Sequence, residues 1–218
     1  MRKTALFVFI FSVLFFSCSQ DSAQVASAES SVIFDYSENP PDMRLSVFVN
    51  SESDVRLASK IKIVNKDSGL EWNCDELVKF EDKNKNSWAG CANIVAAFGM
   101  KIPAGEYVLT YFDMAGDEEK ISFSVDYPEN ILTLTNKDFP NGFDNSEKKI
   151  AVYTKDGVLL YYGKENKEWE NRNSILDDYK DAGFIRTCYT LKNDSVICLM
   201  PPESLEQQYN NNSEETDA

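Results

Sequence analysis

Apolar residues two positions apart are the feature that most constrains the fold of this chain of 218 residues. Leu45, Val47 and Val49 form one such series, and Ile61 and Ile63 alternate with lysines in the next. A period of two is typical of strands with one buried face, because successive side chains of a strand point to opposite sides. The pattern returns at 106–112, 120–125, 150–154, 158–162 and 184–191. We therefore predict a mainly β fold.

A proline-containing break near residue 128 separates two predicted units, 32–127 and 131–202. In the second unit, two strands precede a helix at 173–183 with a serine cap and a terminal glycine, and two strands follow it. This order predicts a small α+β (ββαββ) domain. Segment 89–98 is compatible with a strand or a short helix.

The N-terminus has the layout of an export signal. A basic start precedes an apolar stretch at 5–16, which as a helix would reach only about 18 Å, against about 30 Å for a bilayer core. Residues 1–17 are therefore predicted to be a signal peptide. The polar segment 18–31 is predicted to be a flexible tether, and 203–218 a disordered acidic tail.

The residues Leu14-Phe15-Phe16-Ser17-Cys18 resemble the lipobox of bacterial lipoprotein precursors, in the phenylalanine-rich form of spirochaete lipoproteins. The resemblance implies that Cys18 is acylated and anchors the protein in the bacterial cell envelope. Several acyl chains on one residue give stable membrane attachment. Because Ser19 rather than Asp follows the cysteine, the outer membrane is expected rather than the inner membrane. The alternative is an ordinary secretory peptide in which Cys18 is coincidental.

The run from Pro103 to Asp113, followed by a glycine-containing turn and Phe123-Ser124-Val125, resembles the last hairpin of bacterial Ig-like or fibronectin-type domains. The resemblance implies an Ig-like β-sandwich over 32–127. The expected fold is thus mainly β, an Ig-like β-sandwich followed by a small α+β domain.

Composition excludes several kinds of site. The chain has no histidine, which removes histidine-based catalysis and zinc–histidine ligation. Its net charge of −14 argues against nucleic-acid binding, which depends on basic side chains. Segment 82–86 has the oxygen spacing of a calcium loop, but Ser87 and Asn93 replace the required Gly and Glu. We expect no metal and no cofactor.

Four cysteines other than Cys18 are expected to form disulfides, since export leads to an oxidising compartment. Three pairings are possible, and the local one joins Cys74 to Cys91 and Cys188 to Cys198. A four-cysteine zinc site would need CxxC pairs, which are absent.

The hairpin that contains Cys188 and Cys198 has two candidate registers. A three-residue loop at 192–194 places the two cysteines opposite each other and collects the apolar side chains on the other face. A two-residue loop at 193–194 places the cysteines on opposite faces. We predict the three-residue loop and the cross-strand disulfide.

Function is predicted from what remains. We expect a non-enzymatic, lipid-anchored protein that binds a protein or glycan partner, and the aromatic-rich stretch with Tyr161, Tyr162 and Trp169 is the candidate surface. The alternatives are a structural or assembly subunit of an envelope complex and a carboxylate-dependent hydrolase. A pocket with convergent carboxyl groups of raised pKa would favour the hydrolase, and exposed aromatic side chains would favour binding.

Overall fold

The computed structural model describes residues 23–97 and 100–205 of the chain. The protein is mainly β, as predicted. The signal peptide predicted at 1–17, the lipidation site Cys18 and most of the tail predicted at 203–218 lie outside the described residues.

Strands make up most of the described chain. They are β1 (Val25–Asp35), β2 (Asp42–Ser51), β3 (Ala58–Asn65), β4 (Glu71–Cys74), β5 (Val78–Glu81), β6 (Ser87–Val95), β7 (Gly105–Asp113), β8 (Glu118–Val125), β9 (Glu147–Thr154), β10 (Leu159–Gly163), β11 (Ala182–Leu191), β12 (Val196–Leu199) and β13 (Glu203–Ser204). Helical segments are short: α1 (Ile175–Asp178) and 3-10 turns at Val55–Leu57, Glu129–Thr133, Asn136–Asp138, Lys167–Glu170 and Arg172–Ser174.

The strands form two sheets. The long sheet has the order β10-β9-β11-β12-β1-β2-β6-β5, with β13 also beside β11, and the short sheet has the order β4-β3-β7-β8. Neighbouring strands are antiparallel except β1 and β12, which run parallel with Val32 opposite Val196.

The main core lies between the two sheets. Leu45, Val47 and Val49 of β2 point into it from the long sheet, and Ile61 and Ile63 of β3 point into it from the short sheet. All five are fully buried, as the alternation predicts. At about 25 cal/mol per Å² of apolar surface, such burial is the main term that stabilises the sandwich.

The long sheet crosses the predicted boundary between the units 32–127 and 131–202. Because β1 pairs with β12, the two predicted units share one sheet, and Ile131, Val196 and Cys198 belong to the main core. The two-unit division is therefore corrected. Sequence patterns are local, so they do not indicate that β1 pairs with a strand some 160 residues away.

The predicted tether and tail are also corrected in part. Strand β1 begins at Val25, inside the segment 18–31, because its backbone groups pair with β2 although its side chains are mostly small and polar. Two residues of the predicted tail form β13, and Leu205 after them is buried.

The helix predicted at 173–183 is reduced to the four residues of α1. The Ser174 hydroxyl donates to backbone carbonyls of Glu168 and Asn171 and does not cap the helix. Gly183 lies in β11 and is no helix cap. The position requires a glycine because a Cβ there would come within 2.7 Å of the Lys155 backbone. Of the two possibilities left open for 89–98, the strand is found as far as Val95.

Candidate binding surface on the open face of the long sheet

Among the described residues, other elements pack against one face of the long sheet and leave its other face uncovered. Its covered face packs against the short sheet and, farther along, against a cluster that includes Trp169, Ile175 and Leu205. On the other side, Ala151, Cys188 and Leu199 form a cluster whose members and packed neighbours all come from strands of the same sheet. We call this side the open face, and cross-strand pairing places on it Tyr162, Cys188, Leu199, Ile33, Phe48 and Phe80.

A cleft of about 260 Å³ lies at one end of the open face. Strands β1 and β2 supply one side of this aromatic cleft, and β6, β5 and the residue after β5 supply the other. Its lining residues are Glu29, Ser31, Ser46, Phe48, Phe80, Asp82 and Trp88.

Three aromatic rings form the apolar wall of the aromatic cleft. Phe48 and Phe80 meet edge to face with ring centroids 5.4 Å apart, and Trp88, 7% exposed, lies beside them. Phe80 is 44% exposed. Gly90 lies beneath Phe48, where a Cβ would come within 2.5 Å of the Phe48 ring, so any larger residue would displace that ring.

Asp82 is held in place by the turn that follows β5. Its carboxylate accepts backbone N–H groups of Asn84 and Asn86 at 2.8 and 2.9 Å, and the indole Nε1 of Trp88 at 3.2 Å. Hydrogen bonds from Asn86 and these neighbours hold the pKa of Asp82 below its usual range. The oxygen spacing noted at 82–86 thus serves the turn. Among the described residues, no group of three or more acidic, cysteine or histidine side chains could hold a metal ion.

The polar wall of the aromatic cleft has free hydrogen-bonding groups. Within the described part of the chain, the side chains of Glu29, Ser31 and Ser46 make no hydrogen bond or ion pair with protein. Glu29 is exposed, and the two serines are half-buried. One carboxylate and two hydroxyl groups therefore face the aromatic wall without a protein partner.

An ion pair stabilises the middle of the open face. Arg186 donates two hydrogen bonds to the Asp35 carboxylate, one of them 2.8 Å long. Its Nε donates a third to the backbone oxygen of Met200 at 2.7 Å. Burial disfavours the charged form of Asp35, but hydrogen bonds from Arg186 and Ser37 outweigh it and hold the pKa of Asp35 far below its usual range. The pair joins β1 to β11 across β12, so its role is structural.

The three aromatic residues predicted as a binding surface do not form one surface. Tyr161 and Trp169 pack edge to face with centroids 5.0 Å apart, and Trp169 is 3% exposed with its indole donating to Asp178 at 2.7 Å. Tyr162 points the other way, onto the open face, with the Lys149 ammonium 5.4 Å from its ring.

The sequence prediction missed Phe48 and Phe80. Phe48 had a signal, an aromatic residue at a polar position between Val47 and Val49, whereas Phe80 follows the alternation of its strand, between Lys79 and Glu81. Such residues on an outward side of a strand are candidates for contact with a partner.

The register predicted for the β11–β12 hairpin is wrong. Cys188 pairs with Leu199, and Cys198 pairs with Tyr189, so the two cysteines lie on opposite faces of the sheet and form no disulfide. Lys192, Asn193 and Asp194 have φ of 51°, 55° and 68°. Asn and Asp tolerate this left-handed conformation, which permits the tight turn of the shorter loop.

Cys74 and Cys91 face each other inside the sandwich. Cys74 lies opposite Ile61 in the short sheet, and Cys91 lies opposite Val47 in the long sheet. Burial and the neighbouring Cys91 raise the pKa of the Cys74 thiol to about 12. They are free thiols and not at bonding distance, like Cys188 and Cys198, so the predicted disulfides are not found among the described residues.

Two further depressions flank the turn at 136–138. One of about 350 Å³ is lined by Lys137, Phe139, Tyr189 and Glu203 among others, and one of about 240 Å³ lies beside Tyr36. The rings of Phe139 and Tyr189 stack on each other with centroids 5.1 Å apart and pack against the main core. Their rings are therefore less available to a ligand than that of Phe80.

Comparisons with protein-family models, curated proteins and solved structures found no match. Among the described helices, none has the length and apolar character needed to cross a membrane.

Proposed function

We propose that this chain is a lipid-anchored cell-envelope protein whose open face is a non-catalytic binding surface for a protein or glycan partner. Ser19 after the lipidated cysteine favours the outer membrane over the inner membrane. The lipobox-like residues ending at Cys18 support the anchor. Only six residues separate Cys18 from Val25, where β1 begins, so the folded part starts within about 25 Å of the anchor.

The observation that carries the binding role is the aromatic cleft. An exposed Phe80, packed on Phe48 and next to Trp88, borders polar groups that have no protein partner. Exposed apolar surface that is bordered by polar groups is typical of a site of contact with a ligand.

The order of the sandwich strands supports an Ig-like interpretation of residues 25–125. The strands lie side by side in the order β1, β2, β6, β5 in one sheet and β4, β3, β7, β8 in the other, which is the order of Ig-type strands A-B-E-D and C′-C-F-G. The Tyr107 hydroxyl on β7 also donates to the backbone oxygen of Pro103 at 2.6 Å, as in a tyrosine corner. In this interpretation β9–β13 extend the sheet beyond β1. Such a fold supports many functions, and the site must specify which.

Carboxyl pKa values favour binding over hydrolysis. In the described residues, every carboxyl pKa that departs clearly from its ordinary value is lowered, because hydrogen bonds to the charged form outweigh burial. A carboxylate-dependent hydrolase needs one carboxyl group of raised pKa as its general acid. Asp82 in the aromatic cleft is shifted in the opposite direction.

A second candidate function is assembly into an envelope complex by strand addition. Within the described residues, the terminal strands of the long sheet, β5 and β10, each have one unpaired edge, and exposed Val78, Val158 and Leu159 lie at these edges. At β5 the addition of a partner strand is opposed by Lys79, whose side chain points inward and donates to the backbone oxygens of Arg56 and Ala58. An inward-pointing charge is a common means of discouraging edge pairing.

Photo-crosslinking in intact cells that make the protein tests the binding role. A benzoyl-phenylalanine in place of Phe80 should give a specific adduct, whereas the same group in place of Met114, a more exposed apolar residue on the β7–β8 hairpin, should give none. Equal labelling from both positions, or none from Phe80, would contradict a binding role for the open face. Adducts from Val158 alone would favour strand addition.

The anchor has a separate test. A Cys18→Ala precursor should lose membrane association on cell fractionation, and retained association would contradict lipidation. Protease treatment of intact and permeabilised cells then shows on which side of the outer membrane the open face lies.

A further inference from the structure

We propose that the aromatic cleft binds a neutral sugar residue of a glycan. This inference rests on the proposed binding role of the open face and gives its ligand a chemical class. A sugar ring has an apolar side of C–H groups and an edge of hydroxyl groups. The aromatic cleft offers one wall for each.

The apolar wall fits the C–H side of a sugar ring. Phe80 leaves 44% of its surface open to solvent, and Phe48 supports it from below in an edge-to-face contact. The Phe48–Phe80 contact restricts the Phe80 ring before any ligand arrives. Aromatic side chains have few rotatable bonds, so a ring held in this way loses little conformational entropy on binding.

The polar wall fits the hydroxyl edge. Glu29, Ser31 and Ser46 have no protein partner in the described part of the chain, and they stand on the β1–β2 side, across from Phe80. A carboxylate accepts hydrogen bonds from hydroxyl groups, and a serine hydroxyl both donates and accepts. Hydrogen bonds to a charged acceptor are stronger than those between neutral groups.

Charge selects a neutral ligand over an anionic one. Of the residues that the structure describes, two carboxylates, Glu29 and Asp82, and no basic side chain line the aromatic cleft. The chain as a whole carries a charge of −14. Sulfated, phosphorylated or uronic acid residues would be repelled at this position.

Size limits the contact to a short part of a glycan. A volume of about 260 Å³ lies below the roughly 300–1,000 Å³ of pockets that enclose a drug-sized ligand. A single sugar unit can therefore lie between the walls while the rest of the chain extends over the sheet. A small buried area with solvent-exposed hydrogen bonds gives weak binding, with a dissociation constant on the order of 1 mM.

Saturation-transfer NMR and calorimetry on the full chain, in a detergent without a sugar head group, test the proposal. The probes are maltotriose, cellotriose and chitotriose as neutral trisaccharides, and tri-galacturonate as the anionic control. At least one neutral probe should bind and the anionic probe should not. Phe80→Ala should weaken that binding about tenfold or more, and Glu29→Gln about threefold.

Val78→Ala is the matched control. Val78 is on the same strand and the same side as Phe80, and it is exposed but outside the lining of the aromatic cleft, so its loss should leave affinity unchanged. The proposal is overturned if no neutral probe binds at about 10 mM, ten times the expected constant. Binding that Phe80→Ala leaves intact, or equal binding of the anionic probe, also overturns it. A protein adduct from Phe80 without sugar binding would overturn the sugar ligand and leave the binding role of the open face in place.

Discussion

Each face of the long sheet has a nearly buried tryptophan packed against it, and the two tryptophans have different surroundings. Trp88 on the open face and Trp169 against the covered face are both nearly buried, and each indole donates to a carboxylate, Asp82 or Asp178. The difference lies in their neighbours. Trp169 is surrounded by rings and aliphatic side chains of a small core, whereas Trp88 has the exposed ring of Phe80 beside it.

The burial of one aromatic residue therefore does not reveal its role. A tryptophan in a closed cluster stabilises the fold by displacing water on all sides. A tryptophan beneath an exposed ring stabilises the wall of a cleft that stays in contact with solvent. The two kinds of site should therefore respond differently to substitution.

The largest effect is expected at Trp169. Trp169→Ala removes the centre of the cluster formed with Tyr161 and Ile175, and should lower the free energy of unfolding by about 3–5 kcal/mol. Urea unfolding followed by far-UV circular dichroism measures it. A loss below about 1 kcal/mol would show that this cluster is no core and would remove the contrast between the two faces.

The next effect is expected at the ion pair of the open face. Arg186→Met leaves the Asp35 carboxylate partly buried without its partner, and should cost about 2–4 kcal/mol at pH 7. Lys120→Met breaks the exposed pair with Glu118 and is the control, with an expected change of about 0.5 kcal/mol or less.

The pH dependence of this pair follows from the lowered pKa of Asp35. Because the folded pKa lies below the unfolded value of about 3.9, the stabilisation is complete above that pH and is lost as the pH falls through the folded pKa. Stability measured between pH 6 and about pH 3 should thus fall more steeply for the unsubstituted protein than for Arg186→Met. Parallel curves would contradict the role assigned to the pair.

Thiol reactivity compares the packing of the two faces directly. Cys188 belongs to the open face and Cys198 to the covered face, and burial raises the pKa of both thiols to about 12. At pH 8 both should react with iodoacetamide at least about a hundredfold more slowly in the folded than in the unfolded chain. Faster labelling of Cys188 alone would show that the open face is loosely packed.

The same reaction tests the absence of a disulfide. After unfolding without reductant, Cys188 and Cys198 should both be alkylated, as free thiols are. Mass spectrometry of the peptides measures this. If both cysteines resisted alkylation, they would form a disulfide, and the register predicted from sequence would be supported.

The smallest effect is expected at Phe80. Phe80→Ala removes a cross-strand ring contact with Phe48 at the edge of the sheet, and should lower the free energy of unfolding by about 1 kcal/mol or less. A loss as large as that at Trp169 would make Phe80 a core residue and would weaken the case for the aromatic cleft.

Much of the local structure could be predicted from the alternation. Ile61 and Ile63 point inward because a strand in a two-sheet sandwich buries one side, and this requires no knowledge of other segments. The helix predicted at 173–183 is longer than the observed helix α1, in which Ile175 is the buried residue. Ala182 and Gly183 belong to strand β11 instead. Tertiary pairing overrode a local helix signal.

The candidate site was harder to predict than the core. Phe48 stands out in sequence as an apolar residue at a polar position, but Phe80 follows the alternation of its strand, and the two residues are 32 positions apart. They meet because β6 lies between β2 and β5 in the sheet. Tyr161 and Tyr162 formed a denser aromatic cluster in sequence, but neighbouring residues of a strand point to opposite faces.

The sequence by itself determined that this protein is mainly β and which side of several strands is buried, because side-chain alternation is a local property of extended backbone. Tertiary structure alone decided that β1 runs beside β12, that Cys188 and Cys198 face away from each other, and that one face of the long sheet stays open. These outcomes depend on pairing between distant segments. A shift of one residue in strand pairing moves every side chain of that strand to the opposite face of the sheet. The alternation within a strand does not indicate which segment pairs with it or packs on it.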